Sequence, residues 1–167
     1  MSQQMTASAS YPGWAAAATV RTSGHVNVPH VRLPALPSAV PWARRILQNK
    51  LLEWQLEGMS DPALLLVSER VTNAVQASAS QAVRDGSSWP IIGLALHLTD
   101  TALVVEVWDT SHALPVLQEA DPAEERGRGL MLVDFLADSW GYRAAGGGKV
   151  VWCTLSSPRA ARLRQPH

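Results

Sequence analysis

Cysteine is nearly missing from this sequence: Cys153 stands alone, which excludes an intramolecular disulfide framework and any cysteine-rich zinc site. An excess of either charge is missing too. The 14 Lys and Arg are balanced by 14 Asp and Glu, which disfavours a strongly basic nucleic-acid binder. Lysine occurs only as Lys50 and Lys149, a bias we attribute to genome composition rather than to chemistry. No apolar run approaches the roughly 20 residues of a membrane-spanning helix. The N-terminus lacks the charged start and apolar centre of a signal peptide. What is present is a chain of 167 residues, 47% hydrophobic, enough to bury the core of one domain and unlike a disordered polar chain. The expectation is a cytoplasmic domain with no direct nucleic-acid contact and no membrane.

Residues 1–30 are rich in Ser, Ala, Gln and Thr without a sustained period, and are expected to form a flexible tail. Pro29, Pro34, Pro37 and Pro41 mark the entry into a folded domain over 31–156, and residues 157–167 are expected to be a basic C-terminal tail. Residues 30–33, flanked by prolines, suit a short edge strand. Ser38 is positioned to cap a helix running to about Glu57, with Pro41 in its first turn and Gly58 as its stop. Its apolar face is Ile46, Leu47, Leu51, Trp54 and Leu56. Asp61-Pro62 opens a second helix, which Asp85-Gly86 ends. The period then changes to two over 91–98 and 103–108, joined by Thr99-Asp100-Thr101. A polar loop over 110–127 leads to a third helix over 129–137. A last hairpin, 140–143 and 149–155, turns at Gly146-Gly147-Gly148. This order predicts an α+β two-layer sandwich: a mixed, mostly antiparallel sheet with three helices on one face.

Three places could carry chemistry. Glu69 and Asn73 lie four apart on an otherwise apolar helix, so they share one face a turn apart. An amide oxygen suits Mg²⁺ and a nearby carboxylate can take a proton, although from spacing alone a plain polar helix face is the commoner explanation. Asp109 ends the apolar strand Val104-Val105-Glu106-Val107-Trp108, where a carboxylate can accept from an exocyclic amine or simply cap a turn. Gly127-Arg128-Gly129 opens the third helix, suited to a phosphate or to a flexible turn. Other patterns fail. Gly146-Gly147-Gly148-Lys149 lacks the Ser or Thr of a phosphate loop and leads into a strand, so it is a hairpin turn. Asp109, Ser111 and His112 are triad residue types without triad geometry. His25, His30, His97 and His167 show no metal-ligand spacing.

Taken in order, these segments resemble the histidine-kinase-like ATPases, the Bergerat or GHKL fold. Ser68-Glu69-Arg70-Val71-Thr72-Asn73-Ala74-Val75 is similar to that family's N-box. Val107-Trp108-Asp109-Thr110-Ser111, continuing to Pro115, is similar to its adenine-recognition box. Glu125-Arg126-Gly127-Arg128-Gly129-Leu130-Met131-Leu132-Val133 resembles the glycine-rich box that closes the nucleotide lid. Ala137-Asp138-Ser139-Trp140-Gly141 and Gly148-Lys149-Val150-Val151-Trp152 resemble the closing hairpin of one branch, the stand-alone anti-sigma-factor-like serine/threonine kinases of actinobacterial type. The resemblance spans about residues 33–155. No phosphoacceptor-histidine helix pair precedes the boxes, so a complete sensor histidine kinase is not expected.

The resemblance implies ATP and Mg²⁺ as cofactors, Glu69 as general base, Asn73 as Mg²⁺ ligand and Asp109 as adenine acceptor. It places Ser111 beside the base and Gly127, Arg128, Gly129 and Leu130 along the lid and phosphates. The implied activity is transfer of the ATP γ-phosphate to a Ser or Thr of an antagonist protein, with a sigma factor as a further partner and a homodimer through the first helix and N-terminal strand. Where relatives often carry Arg-His-Ala after the N-box, this chain has Gln76-Ala77-Ser78, and Arg70 replaces a usual aliphatic residue. Arg70 is expected to point outward or toward phosphate. The alternative function is a catalytically weak or inactive module of the same fold that regulates by gripping a partner protein.

Overall fold

The structure, a computed structural model, describes residues 26–86, 89–115 and 136–157. Strand β1 (Val26–Pro34) is followed by helix α1 (Ala39–Glu53), a 3-10 turn (Glu57–Met59) and the long helix α2 (Ser60–Asp85). Strands β2 (Ile91–Leu98) and β3 (Ala102–Asp109) come next, then β4 (Ser139–Ala145) and β5 (Gly148–Ser156). The sheet order is β1-β2-β3-β5-β4, and every pairing among the described residues is antiparallel. The expected α+β two-layer sandwich is therefore present, its sheet antiparallel rather than mixed. Of the third helix expected over 129–137, only Leu136 and Ala137 are among the described residues. No described helix is long and apolar enough to cross a membrane.

Helix α1 buries Ala39, Ala43, Leu47 and Leu51, a stripe at four-residue spacing that lies on one face. Its ends differ from expectation. Ser38 makes no side-chain cap, because the first-turn amides of Ala39 and Val40 already donate to the Leu36 and Pro37 carbonyls. The helix stops at Glu53 rather than Glu57, and Gly58 is not its stop. Gln55 takes the left-handed conformation (φ 58°), and the Leu56 amide returns to the Leu51 carbonyl at 2.8 Å. That closure turns Trp54 and Leu56 into the core. Helix α2 starts one residue before Asp61, and Gly86 ends it as anticipated, at φ 68° with its amide on the Ala82 carbonyl.

Strand β1 is an edge, as its prolines require, and its pairing with β2 shifts register between Val28 and Val31 around Pro29. Alternation along the central strands then assigns two faces. Leu94, Leu96 and Leu98 of β2, Leu103, Val105 and Val107 of β3, and Cys153 and Leu155 of β5 join the helices in one core. Glu106, Trp108 and Trp152 occupy the other face. The final hairpin brings its second strand against β3, which pairs Asp109 with Lys149 across the two strands.

Candidate nucleotide site

Two helix flanks define where a ligand can approach α2. Arg44 of α1 donates to Ser68 Oγ at 2.8 Å and to the Leu64 carbonyl at 3.2 Å, which holds α1 along one flank. At about 100° per residue, Glu69 and Asn73 project from the flank turned away from α1. Both are half-buried, and neither side chain makes a hydrogen bond with the rest of the described protein. A carboxylate and an amide oxygen held together on a packed helix, with their lone pairs uncommitted, fit a hydrated divalent cation and a proton acceptor beside it.

Arg70 corrects its expectation. It points neither outward nor along that flank but is buried, at 3% exposure, with its guanidinium 5.8 Å from the centre of the Trp140 ring. Its Nε and Nη2 are buried and have no hydrogen-bond partner among the described residues. Burial lowers its pKa, opposed by the nearby Cys153 and Glu69. Cys153 itself is buried in the core, and burial pushes its thiol up to about 11, so it is no nucleophile.

Asp109 lies at the end of β3 on the helix-facing side of the sheet, 2% exposed. Its Oδ1 accepts from Lys149 Nζ and from the Ser111 amide, both at 2.8 Å. The second bond is the turn cap that the sequence allowed for, so Asp109 closes a turn and still offers a carboxylate. Among the described residues Oδ2 has no hydrogen-bond partner, which leaves one acceptor open there. Burial raises the Asp109 carboxyl pKa, opposed by the Lys149 hydrogen bond and charge, the Ser111 amide and His112. Ser111 is buried at 2% exposure, and its Oγ accepts the Ala113 amide at 3.1 Å. Its hydroxyl therefore shapes the loop after β3.

Two residues to which the sequence reading gave no role at the site join it. Ser78, on the buried face of α2, accepts the Thr110 amide at 3.2 Å and donates to the Ile91 carbonyl at 3.4 Å, tying the helix to the exit of β3. Lys149 pairs with Asp109 from the neighbouring strand. Gly148 makes that approach possible: a Cβ there would sit 1.9 Å from the Asp109 carbonyl oxygen. The hairpin turn expected at these glycines is present, with Gly147 at φ 77°. Only knowledge of strand register could have exposed the Asp109–Lys149 pair, because the two residues are 40 apart in sequence. Gly127, Arg128, Gly129 and Leu130 lie outside the described residues.

Asp109 is thus a buried carboxylate whose Oδ2 has no partner among the described residues, and α2 carries a half-buried Glu69 and Asn73 one turn apart; such groups can accept from an amine or hold a cation. The family model of the histidine kinase-like ATPase domain matches residues 33–155. The chain belongs to that family. The matched segment covers α1, α2 and the four strands from β2 to β5, and contains Glu69, Asn73 and Asp109, so this is an ATP-binding domain. No curated protein matches the chain significantly.

Proposed function

We propose that this histidine kinase-like ATPase domain is a regulatory serine/threonine protein kinase of the anti-sigma-factor kind. Its substrate would be a hydroxyl on an antagonist protein, with a sigma factor as the second partner. The observation that supports the reading is Asp109: buried, anchored through Oδ1, and with no partner at Oδ2 among the described residues. That acceptor suits the 6-amino group of adenine. Bound ATP and Mg²⁺ would supply the γ-phosphoryl group and neutralise its charge during in-line transfer. Asn73 would contribute its amide oxygen as a metal ligand, and Glu69 would take the proton from the acceptor hydroxyl.

Calorimetric titration with ATP, with and without Mg²⁺, tests the site in the wild type and in Asp109→Asn. Mg²⁺-dependent binding that the variant loses supports the assignment; no binding to the wild type removes it. For transfer, Glu69→Ala should abolish phosphorylation of the partner while leaving ATP affinity within a few-fold. Undiminished transfer in that variant would rule out Glu69 as the base.

A second reading is favoured by one observation. After Asn73, Gln76 and Ala77 offer no cation, and the Ser78 hydroxyl is committed to backbone groups of the strands. A domain with weak phosphate binding would regulate by gripping its partner. Partner capture indifferent to ATP and to Asn73→Ala would select this reading over the kinase.

A further inference from the structure

The Asp109–Lys149 pair is a costly way to close a hairpin. Both side chains are almost fully buried, and a buried ion pair rarely gains over an apolar contact of the same volume. Its geometry suggests a use beyond stability. Lys149 Nζ donates to Asp109 Oδ1 at 2.8 Å and lies 3.4 Å from the Ser111 carbonyl oxygen, so one ammonium pins both ends of the Asp109–Ser111 turn. The Ser111 amide also donates to Oδ1, so both donors converge on one oxygen. The other oxygen can therefore serve a ligand.

We propose that Lys149 determines purine specificity: it orients Asp109 and keeps Oδ2 a bare acceptor, which selects a base with a 6-amino group over one with a 6-oxo group. The inference rests on the reading of Asp109 as the acceptor for the base. A carboxylate accepts only, so an amino group donates to it and the lone pairs of a 6-oxo group are repelled. A protonated carboxyl would instead donate from Oδ2 and welcome the 6-oxo base. Burial favours that protonated form, and the adjacent ammonium opposes it. Among the described residues the charged groups acting on Asp109 are Lys149 from β5 and His112 from the loop that follows β3; α2 contributes the uncharged Ser78 hydroxyl at Thr110. Lys149 is thus a positioning residue that acts on the base through Asp109.

The test is titration of the full chain with ATP and with inosine triphosphate, in Mg²⁺, from about pH 6 to about pH 9. The proteins are the wild type, Lys149→Met and Lys149→Arg, each checked for a native melt. The wild type should prefer ATP throughout. Lys149→Met should lose ATP affinity by roughly 10- to 100-fold at the acid end, the size of a charge-assisted hydrogen bond. Its ATP-to-inosine ratio should collapse there and recover as the pH rises, while Lys149→Arg retains the ratio. A folded Lys149→Met with wild-type affinity and a constant ratio overturns the proposal and leaves the nucleotide site standing. A wild type that binds neither nucleotide overturns the nucleotide site and this proposal with it. Should Lys149→Met not fold, carbon NMR of the wild-type Asp109 carboxyl decides the matter. A carboxylate signal across the range supports the proposal, and a protonated one near pH 7 defeats it.

Discussion

Replacing Gly148 with Ala isolates the contact that joins the last hairpin to the site. The new Cβ would lie 1.9 Å from the Asp109 carbonyl oxygen, 2.9 Å from its carbonyl carbon and 3.0 Å from the Thr110 Cα. All three are backbone atoms, so no side chain can rotate away. Relief to an ordinary separation of about 3.4 Å requires the ends of β3 and β5 to part by roughly 1.5 Å. That movement stretches the Asp109–Lys149 pairing and the 2.8 Å bond between the two side chains. Overpacking of this kind costs about 1–3 kcal/mol, and weakening a buried ion pair brings the total to about 3 kcal/mol. With a urea m-value of about 2 kcal/mol/M, the denaturation midpoint should fall by about 1.5 M. Gly58→Ala is the control, because nothing lies within 4 Å of a Cβ at that position. Its midpoint should move by about 0.25 M at most, as for an unhindered surface change. A Gly148→Ala midpoint no lower than that of the control would refute the argument that β5 must abut Asp109 closely.

Two further outcomes follow from charges placed within the fold. On the sheet face away from the helices, Glu106 lies 3.0 Å from Arg143 Nη1 and 3.3 Å from His97 Nε2. Burial would raise its carboxyl pKa, but His97 and Arg143 outweigh burial and hold it below the usual value of 4.5. A carboxyl depressed in the folded state contributes stability that is present above the unfolded pKa and lost as the pH falls through the folded one. Glu106→Gln should therefore lower stability by about 3 kcal/mol near neutrality, with the gap to wild type narrowing below about pH 4.5. Urea midpoints at several pH values measure it, and a gap that is constant or widens on acidification would contradict the pairing. Arg70→Met removes a buried cation with two unpartnered donors while keeping contact with Trp140. Its melting temperature should rise by a few degrees, equivalent to about 1 kcal/mol, and a fall would show that the guanidinium is satisfied.

Much of the fold was legible in the linear order of residues. The switch from a helical period to alternation at Ile91 located the start of the sheet, and the glycines before Lys149 marked the last turn. Local signals misled at α1, because its end depends on Gln55 adopting the left-handed conformation, which no residue type announced. The turn closes there because Trp54 and Leu56 gain burial, a tertiary reward. The inward course of Arg70 was hidden for a related reason. Its neighbours on the helix are polar at Glu69 and apolar at Val71, so only packing against Trp140 shows which way it turns.

For the site, the sequence alone determined the residue types and their order: Glu69 and Asn73 one helical turn apart, and Asp109 at the end of an apolar strand. Helical pitch and strand alternation are local properties, so spacing was enough to place each group on its own element. Tertiary structure alone decided what each group faces. Strand order β3-β5-β4 and the register of Asp109 against Lys149 depend on long-range pairing. That pairing settles which Asp109 oxygen is occupied among the described residues and which cation stands beside it.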